Sequence, residues 1–161
     1  MSPDPNVSPT QSGMDASQVP STTGAPQTEA SPGEQALESA AVAFVKGIIE
    51  RHGEDEDSAI GRVLASYAGI VDYYGKLTDL IDIVADKRGY FRRWPERGYH
   101  VRDESVIVTC ANTRCMVSGK YDWVVRSLPR HKQARGVARF SYTIAIGPNP
   151  KIIAESGEVV R

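Results

Sequence analysis

Two long stretches in the second half of the chain alternate apolar and polar side chains with a period of two. The first, residues 114–128, places five side chains on one face: Cys115, Val117, Tyr121, Trp123 and Val125. The second, residues 136–146, does the same with another five: Ala138, Phe140, Tyr142, Ile144 and Ile146. Successive side chains of a strand point to opposite faces, so both stretches predict long strands with one apolar face. That face has to be covered by other elements.

The first half of the chain contains helical patterns that can cover this sheet. Apolar residues recur at helical spacing over residues 34–53, and a second helix is predicted to follow Ser58 as its N-cap. A third begins at Thr78 or Asp79 and stops at Pro95, because proline cannot continue a helix. The sequence therefore predicts three helices.

Three shorter stretches complete the predicted sheet. Residues 70–76, between the second and third helices, are rich in β-branched and aromatic side chains. Residues 99–110 and 151–160 also have strand character, and a polar loop separates the two long strands at 129–136. The predicted order is ααβαββββ, and the fold class is α+β.

Residues 1–33 differ in composition from the rest of the chain. They contain six of the ten prolines and ten serines or threonines, with almost no large apolar side chains. Such a segment buries too little surface to offset its ordering entropy. We expect a disordered tether over residues 1–33, or a remnant of processing or cloning, and one folded domain over residues 34–161.

The chain has two cysteines, and their spacing allows two interpretations. Cys110 and Cys115 flank a predicted four-residue hairpin loop, where paired strand positions lie close enough for a disulfide. A disulfide would indicate an oxidising compartment, periplasmic or otherwise extracytoplasmic. Two buried free thiols in a cytoplasmic protein are the alternative. No stretch is long and apolar enough to predict a membrane span, and the N-terminus lacks the pattern of an export signal.

One charged residue lies on the apolar face of the predicted third helix. Four apolar side chains share a narrow arc of its helical wheel: Leu80, Val84, Phe91 and Trp94. Lys87 falls in the middle of this arc, and a buried lysine needs a carboxylate partner. We expect Lys87 to pair with Asp72 or with another acidic residue of the sheet.

Two sequence runs resemble the nuclear transport factor 2-like superfamily. They are YAGIVDYYGK, residues 67–76, and DKRGYFRRWPER, residues 86–97. Similar runs occur in bacterial domains of this superfamily without an assigned reaction. The resemblance covers residues 36–160 and implies a cone: helices packed in a curved, mostly antiparallel sheet around a cavity. It also implies that homodimers form through exposed sheet.

The resemblance does not choose among functions, because this cone hosts isomerases, dehydratases, transport adaptors and assembly domains of secretion systems. Pockets are apolar with a few polar groups, and five residues are candidates to line one: Asp72, Tyr73, Lys87, Tyr121 and Trp123. The alternative is that the aromatic side chains simply fill the cone as its core.

Catalysis in the cone would need a carboxylate or histidine base beside a hydrogen-bond donor. The candidates are Asp72, Tyr73, Tyr74, Tyr121 and Asp122. Asp72 and Tyr73 are adjacent in a strand and therefore point to opposite faces. No histidine has a neighbouring Asp or Cys that suggests a catalytic triad, and no metal-ligand or cofactor motif is present, so we predict neither metal nor cofactor.

These observations favour a non-catalytic interaction or ligand-binding module. Its partner would be another protein, its own parent polypeptide in a bacterial envelope or secretion-associated assembly, or a small apolar ligand. A small-molecule isomerase or dehydratase is the alternative. Nucleic-acid binding through Arg92, Arg93 and Arg97 is disfavoured, because the net charge is only -1.

Overall fold

The computed structural model describes residues 31–161. Three helices precede most of the sheet, and we number them α1, Pro32–Arg51, α2, Glu56–Ser66, and α3, Leu80–Arg93. The Ser31 hydroxyl caps α1, so this helix starts two residues before the domain boundary predicted at residue 34. Residues 1–30, most of the predicted tether, lie outside the described residues.

The second helix is capped differently from the prediction. Asp55 is its N-cap, and the Asp55 carboxylate accepts a hydrogen bond of 3.1 Å from the backbone N–H of Ser58. The predicted cap, Ser58, is wrong because an acidic residue three positions earlier satisfies the free N–H groups of the first turn. The third helix follows Asp79, one of its two predicted caps, although the Asp79 side chain makes no capping hydrogen bond.

Seven strands form one curved sheet in the order β2-β1-β7-β6-β5-β3, with β4 paired to β5. Their bounds are β1 Tyr67–Tyr73, β2 Lys76–Asp79, β3 Glu96–Val101, β4 Ile107–Ala111, β5 Arg114–Ser127, β6 Lys132–Ala145 and β7 Lys151–Val160. Neighbouring strands are antiparallel except β1 and β7, which are parallel. The predicted α+β class with a mostly antiparallel sheet is confirmed.

The sheet has two more strands than the sequence pattern predicted. A short hairpin, closed at Tyr74 and Gly75 with positive φ at both, adds β2. The single strand predicted over residues 99–110 is interrupted by a 3-10 turn at Asp103–Ser105 and becomes β3 and β4. The predicted polar loop at 129–136 is also shorter, because β6 already begins at Lys132.

The concave face of the sheet carries the core. In β5 and β6 the predicted alternation is confirmed, with Cys115, Val117, Phe140 and Ile144 buried in the core. Helix α1 packs across β3, β4 and β5, while α3 packs against α2, β1 and β2. Helix α1 therefore covers the β3–β5 end of the sheet, and α3 covers the β1–β2 end.

A disulfide joins Cys110 and Cys115 across the β4–β5 hairpin. The two residues are directly paired in the ladder, with Cα atoms 4.0 Å apart. The hairpin turn is tighter than predicted, because Ala111 and Arg114 also pair and only two residues remain in the loop. Among the described residues, no helix has the length and apolar character needed to cross a membrane.

Arg97 joins the ends of two helices. Its guanidinium donates to the backbone carbonyl oxygens of His52 and Glu54, just beyond α1, and of Phe91 and Trp94 near the end of α3. The guanidinium also lies 4.1 Å from the centre of the Phe91 ring. Arg97 is therefore a buried structural residue and is not available as a surface cation for nucleic acid.

Replacing Arg97 should test this role. Arg97→Ala leaves several carbonyl oxygens at two helix ends without a donor, so the free energy of unfolding should fall by about 3 kcal/mol. Chemical denaturation measures the change. Arg92→Ala is the matched control, because Arg92 forms an exposed ion pair with Glu56 and should contribute less than about 1 kcal/mol. Equal losses in the two variants would contradict the role of Arg97.

Candidate functional site

A cavity of about 690 Å³ lies between the concave face of the sheet, helix α3 and the end of α1. Aromatic side chains dominate its lining, which includes six of the seven tyrosines and both tryptophans of the chain. These eight residues are Tyr73, Tyr74, Tyr90, Trp94, Tyr99, Tyr121, Trp123 and Tyr142. The cone is therefore hollow, and its aromatic side chains form walls around the space.

Small residues on β6 leave room for this cavity. Gly136 pairs with Trp123 and Ala138 pairs with Tyr121, so each large aromatic residue of β5 faces a small neighbour. The indole of Trp123 lies against Gly136, where an added Cβ would come within 2.9 Å of the ring. A larger side chain at either small position would occupy the space next to the aromatic wall.

A buried ion pair forms the floor of the cavity. The Lys87 ammonium lies 3.2 Å from Oε1 of Glu155, and the two side chains are only 9% and 6% exposed. Two tyrosine hydroxyls donate to the same carboxylate, Tyr67 to Oε2 at 2.6 Å and Tyr142 to Oε1 at 3.0 Å. Glu155 therefore accepts three hydrogen bonds, one from a helix and two from neighbouring strands.

The charge of Lys87 keeps Glu155 ionised. Burial raises the pKa of the Glu155 carboxyl, but the adjacent Lys87 cation and the hydrogen bond from Tyr67 outweigh it, so the pKa lies below its ordinary value. Burial raises the pKa of the wall residue Tyr121 to about 12, so this phenol keeps its proton. The floor thus holds one cation and one anion at neutral pH.

His52, at the end of α1, completes the floor in its neutral form. Burial, reinforced by the charge of Lys87, lowers the pKa of His52 to about 4. The ring Nδ1 bonds the carbonyl oxygen of Ile48, and Nε2 lies 3.2 Å from the Lys87 ammonium. Because a carbonyl only accepts and an ammonium only donates, Nδ1 carries the proton and Nε2 accepts from Lys87.

Four of the five predicted pocket residues line the cavity: Tyr73, Lys87, Tyr121 and Trp123. Asp72 does not, because it is exposed on the opposite face of β1 and does not contact Lys87. Lys87 does pair with an acidic residue of the sheet, as expected, but this residue is Glu155 and not Asp72. At the rim, the Tyr73 hydroxyl donates to Asp86 at 2.7 Å.

Sequence patterns missed Glu155 and His52. An irregularity in the pairing of β6 with β7 changes the register, so that Ile144 pairs with Ile152 and Tyr142 with Glu155. One extra residue in β7 thus turns Glu155 to the same buried face as Ile152, three positions earlier. Strict alternation places these two side chains on opposite faces. His52 sits at a helix end, where a solvent-facing cation is the usual expectation.

Comparisons with known proteins agree on the architecture. A nuclear transport factor 2-like superfamily protein from Salmonella enterica has a TM-score of 0.66 at 8% identity, covering 79% of this chain and 93% of that one. A protein of the same family from Streptomyces avermitilis, for which dehydratase activity is proposed, has a TM-score of 0.61 at 11% identity, covering 79% and 98%. The chain has the nuclear transport factor 2-like fold.

Other proteins with the nuclear transport factor 2-like fold include an enzyme named for its reaction. A hexachlorocyclohexane dehydrochlorinase from Novosphingobium barchaimii has a TM-score of 0.63 at 9% identity, covering 81% of this chain and 92% of that one. No protein-family model and no curated protein matches the sequence. Within residues 31–161 no group of three histidine, cysteine or acidic side chains could hold a metal ion.

Breaking the ion pair at the floor of this nuclear transport factor 2-like cone should be costly. Lys87→Met leaves the Glu155 carboxylate buried without its cation, so the free energy of unfolding should fall by about 3–5 kcal/mol. The double variant Lys87→Met/Glu155→Gln removes both charges and should lose less. Denaturant unfolding of both variants measures this. An unchanged stability of Lys87→Met, or an equal loss in the double variant, would contradict the pairing.

The low pKa of His52 should make stability depend on pH. His52 in the unfolded chain takes up a proton as the pH falls through its ordinary value of 6.5, whereas folded His52 does so only near 4. The free energy of unfolding should therefore decline as the pH falls through this window, by up to about 1.4 kcal/mol per pH unit.

Denaturant unfolding at several pH values measures this decline, and His52→Gln is the control. Its amide oxygen can still accept from Lys87 but does not titrate, so the decline between pH 6.5 and 5 should become shallower. Parallel curves for the variant and the unmodified protein would show that another group is responsible.

Proposed function

We propose that this protein binds a small, largely apolar ligand in the aromatic cavity without transforming it. The observation that carries the proposal is a cavity of about 690 Å³ walled by eight tyrosine and tryptophan side chains. A filled core would have no such space, and ligand pockets of several hundred Å³ are typically apolar with a few polar groups. Lys87, Glu155 and His52 are those polar groups at the floor.

The hydrogen bonding and protonation of Glu155 and His52 support ligand binding over catalysis. A general base needs a free lone pair and a pKa near the working pH. The Glu155 carboxylate has three donors and a lowered pKa, and both nitrogens of His52 are engaged. The lowered pKa makes Glu155 a weak base, and neither nitrogen of His52 is free, so both groups are poorly suited to abstract a proton while the ion pair is intact.

A second candidate function, an isomerase or dehydratase reaction, is supported by the rim of the cavity. The Asp86 carboxylate and the Tyr73 hydroxyl both line the space and lie 2.7 Å apart, a donor beside a carboxylate. The same fold occurs in a dehydrochlorinase, which supports this candidate. Asp86 is exposed, and so is less suited than a buried carboxylate to act as a tuned base.

The proposal also includes the cellular compartment of the protein and its partners. The disulfide of Cys110 and Cys115 supports an oxidising, extracytoplasmic compartment. A protein partner, a parent polypeptide and a homodimer stay predictions. On the outer face of the sheet, the apolar side chains of Ile107, Met116 and Val124 are exposed among charged and hydroxyl side chains.

Ligand binding can be tested through the two tryptophans, since both line the cavity. Fluorene, a flat apolar probe, should quench tryptophan fluorescence saturably. Ala138→Leu places a larger side chain beside Tyr121 in the cavity and should weaken fluorene binding at least about tenfold. Ala111→Leu, at an exposed position of β4 outside the cavity, is the matched control and should bind like the unmodified protein.

Two results would contradict binding in the cone. One is the absence of saturable quenching, and the other is equal affinity in the two leucine variants. Turnover would support the second candidate function instead. It would appear as Tyr73-dependent and Asp86-dependent loss of water or hydrogen halide from a cyclic probe.

A further inference from the structure

We infer that the ligand of this cavity is a flat aromatic compound whose inner end presents a neutral carbonyl or hydroxyl oxygen to the Lys87 ammonium. The inference rests on the proposed function and specifies the class of ligand. Three features carry it: the unused donor of Lys87, the charge balance of the floor, and the aromatic walls.

The Lys87 ammonium has one more N–H group than it has partners. An ammonium has three N–H donors, and within residues 31–161 only Nε2 of His52 and Oε1 of Glu155 accept from it, each at 3.2 Å. The Nζ atom also lies 5.4 Å from the ring centre of Tyr67 and 5.6 Å from that of Tyr73. Lys87 is buried, yet it lines the cavity, so a ligand oxygen is the natural acceptor for the third N–H group.

The charges around Lys87 favour a neutral oxygen. Glu155 already balances the ammonium, and His52 is uncharged because burial and Lys87 lower its pKa to about 4. A ligand carboxylate or phosphate at Lys87 would place a second anion beside the Glu155 carboxylate in a buried site. Two anions that contact the same ammonium lie close to each other and repel strongly where water is excluded. A carbonyl or hydroxyl oxygen can accept the hydrogen bond without that repulsion.

The walls favour a flat aromatic body. Tyr99 and Tyr121 stand edge to face, with ring centres 5.8 Å apart, and Trp123 lies on the same wall. Tyr73 lies across the cavity on β1 and packs edge to face against Tyr74. Aromatic rings interact favourably edge to face or offset, so a flat ring system gains contacts that an aliphatic chain of equal area does not.

Three tricyclic probes of nearly the same shape test the inference on the intact protein. Fluorene carries no oxygen, 9-fluorenone carries a neutral carbonyl, and fluorene-9-carboxylate carries an anion. A hydrogen bond from a charged donor should make fluorenone bind at least about tenfold more tightly than fluorene. The carboxylate should bind more weakly than fluorenone. Tryptophan quenching and calorimetry measure the three affinities.

The carbonyl of fluorenone also reports its own environment. Its infrared stretching band should move to lower frequency in the bound state than in an apolar solvent, because a cationic donor polarises the bond. Lys87→Met/Glu155→Gln removes the donor and the balancing charge together. This variant should bind fluorene and fluorenone with equal affinity and leave the band unshifted.

The outcomes separate this inference from the proposed function. If none of the probes binds, ligand binding in the cone is wrong. If fluorene and fluorenone bind the unmodified protein equally with no band shift, the cavity binds apolar compounds but the assignment to Lys87 is wrong. Tighter binding of the carboxylate would overturn the neutral oxygen. The affinity ratio and the band position in the unmodified protein suffice even if the double variant does not fold.

Discussion

The buried ion pair of Lys87 and Glu155 is the interaction on which the rest of this structure depends. It ties helix α3 to strand β7, and the tyrosine donors of Glu155 extend the tie to β1 and β6. Removing two charges from water costs several kcal/mol per ion, so the pair contributes little net stability. Its effect is on alignment, because every member is satisfied only when helix and strands sit in this register.

The same pair determines what the cavity can contain. A hollow cone of apolar walls needs a polar end that is already satisfied, or folding would leave unpaired groups around empty space. Tyr67, Tyr142 and Lys87 all donate to Glu155, and Lys87 also donates to His52. Within this group only the ammonium retains a spare donor. Gly136 and Ala138, the small residues of β6 beside Trp123 and Tyr121, leave the space next to the aromatic wall unfilled. The site therefore has Lys87 as its charged hydrogen-bond donor, and the Tyr73 hydroxyl, the Asp86 carboxylate and the indole N–H of Trp123 as further polar groups of the lining.

The sequence predicts only part of this site, because helix periodicity and strand alternation are reliable only where the secondary structure is regular. The helical wheel identifies Lys87 as an inward cation because helix periodicity over residues 80–94 is regular. Strand alternation correctly predicts that Tyr121 and Trp123 point inward, because β5 is regular over these residues. It fails at Glu155, since one extra residue in β7 reverses the facing side. Asp72 lies in the predicted strand just before the third helix, but its strand turns it away from the helix.

The architecture alone does not determine the function, because the three similar structures described above share only 8% to 11% identity with this chain and include an enzyme. The protonation state of Glu155 favours ligand binding over catalysis as the proposed function. Enzymes that use a buried carboxylate as a base raise its pKa toward neutrality, whereas Lys87 lowers that of Glu155. A carboxylate held in this way stabilises a cation beside it. In the function proposed above, the floor donates a hydrogen bond from Lys87 to a ligand oxygen.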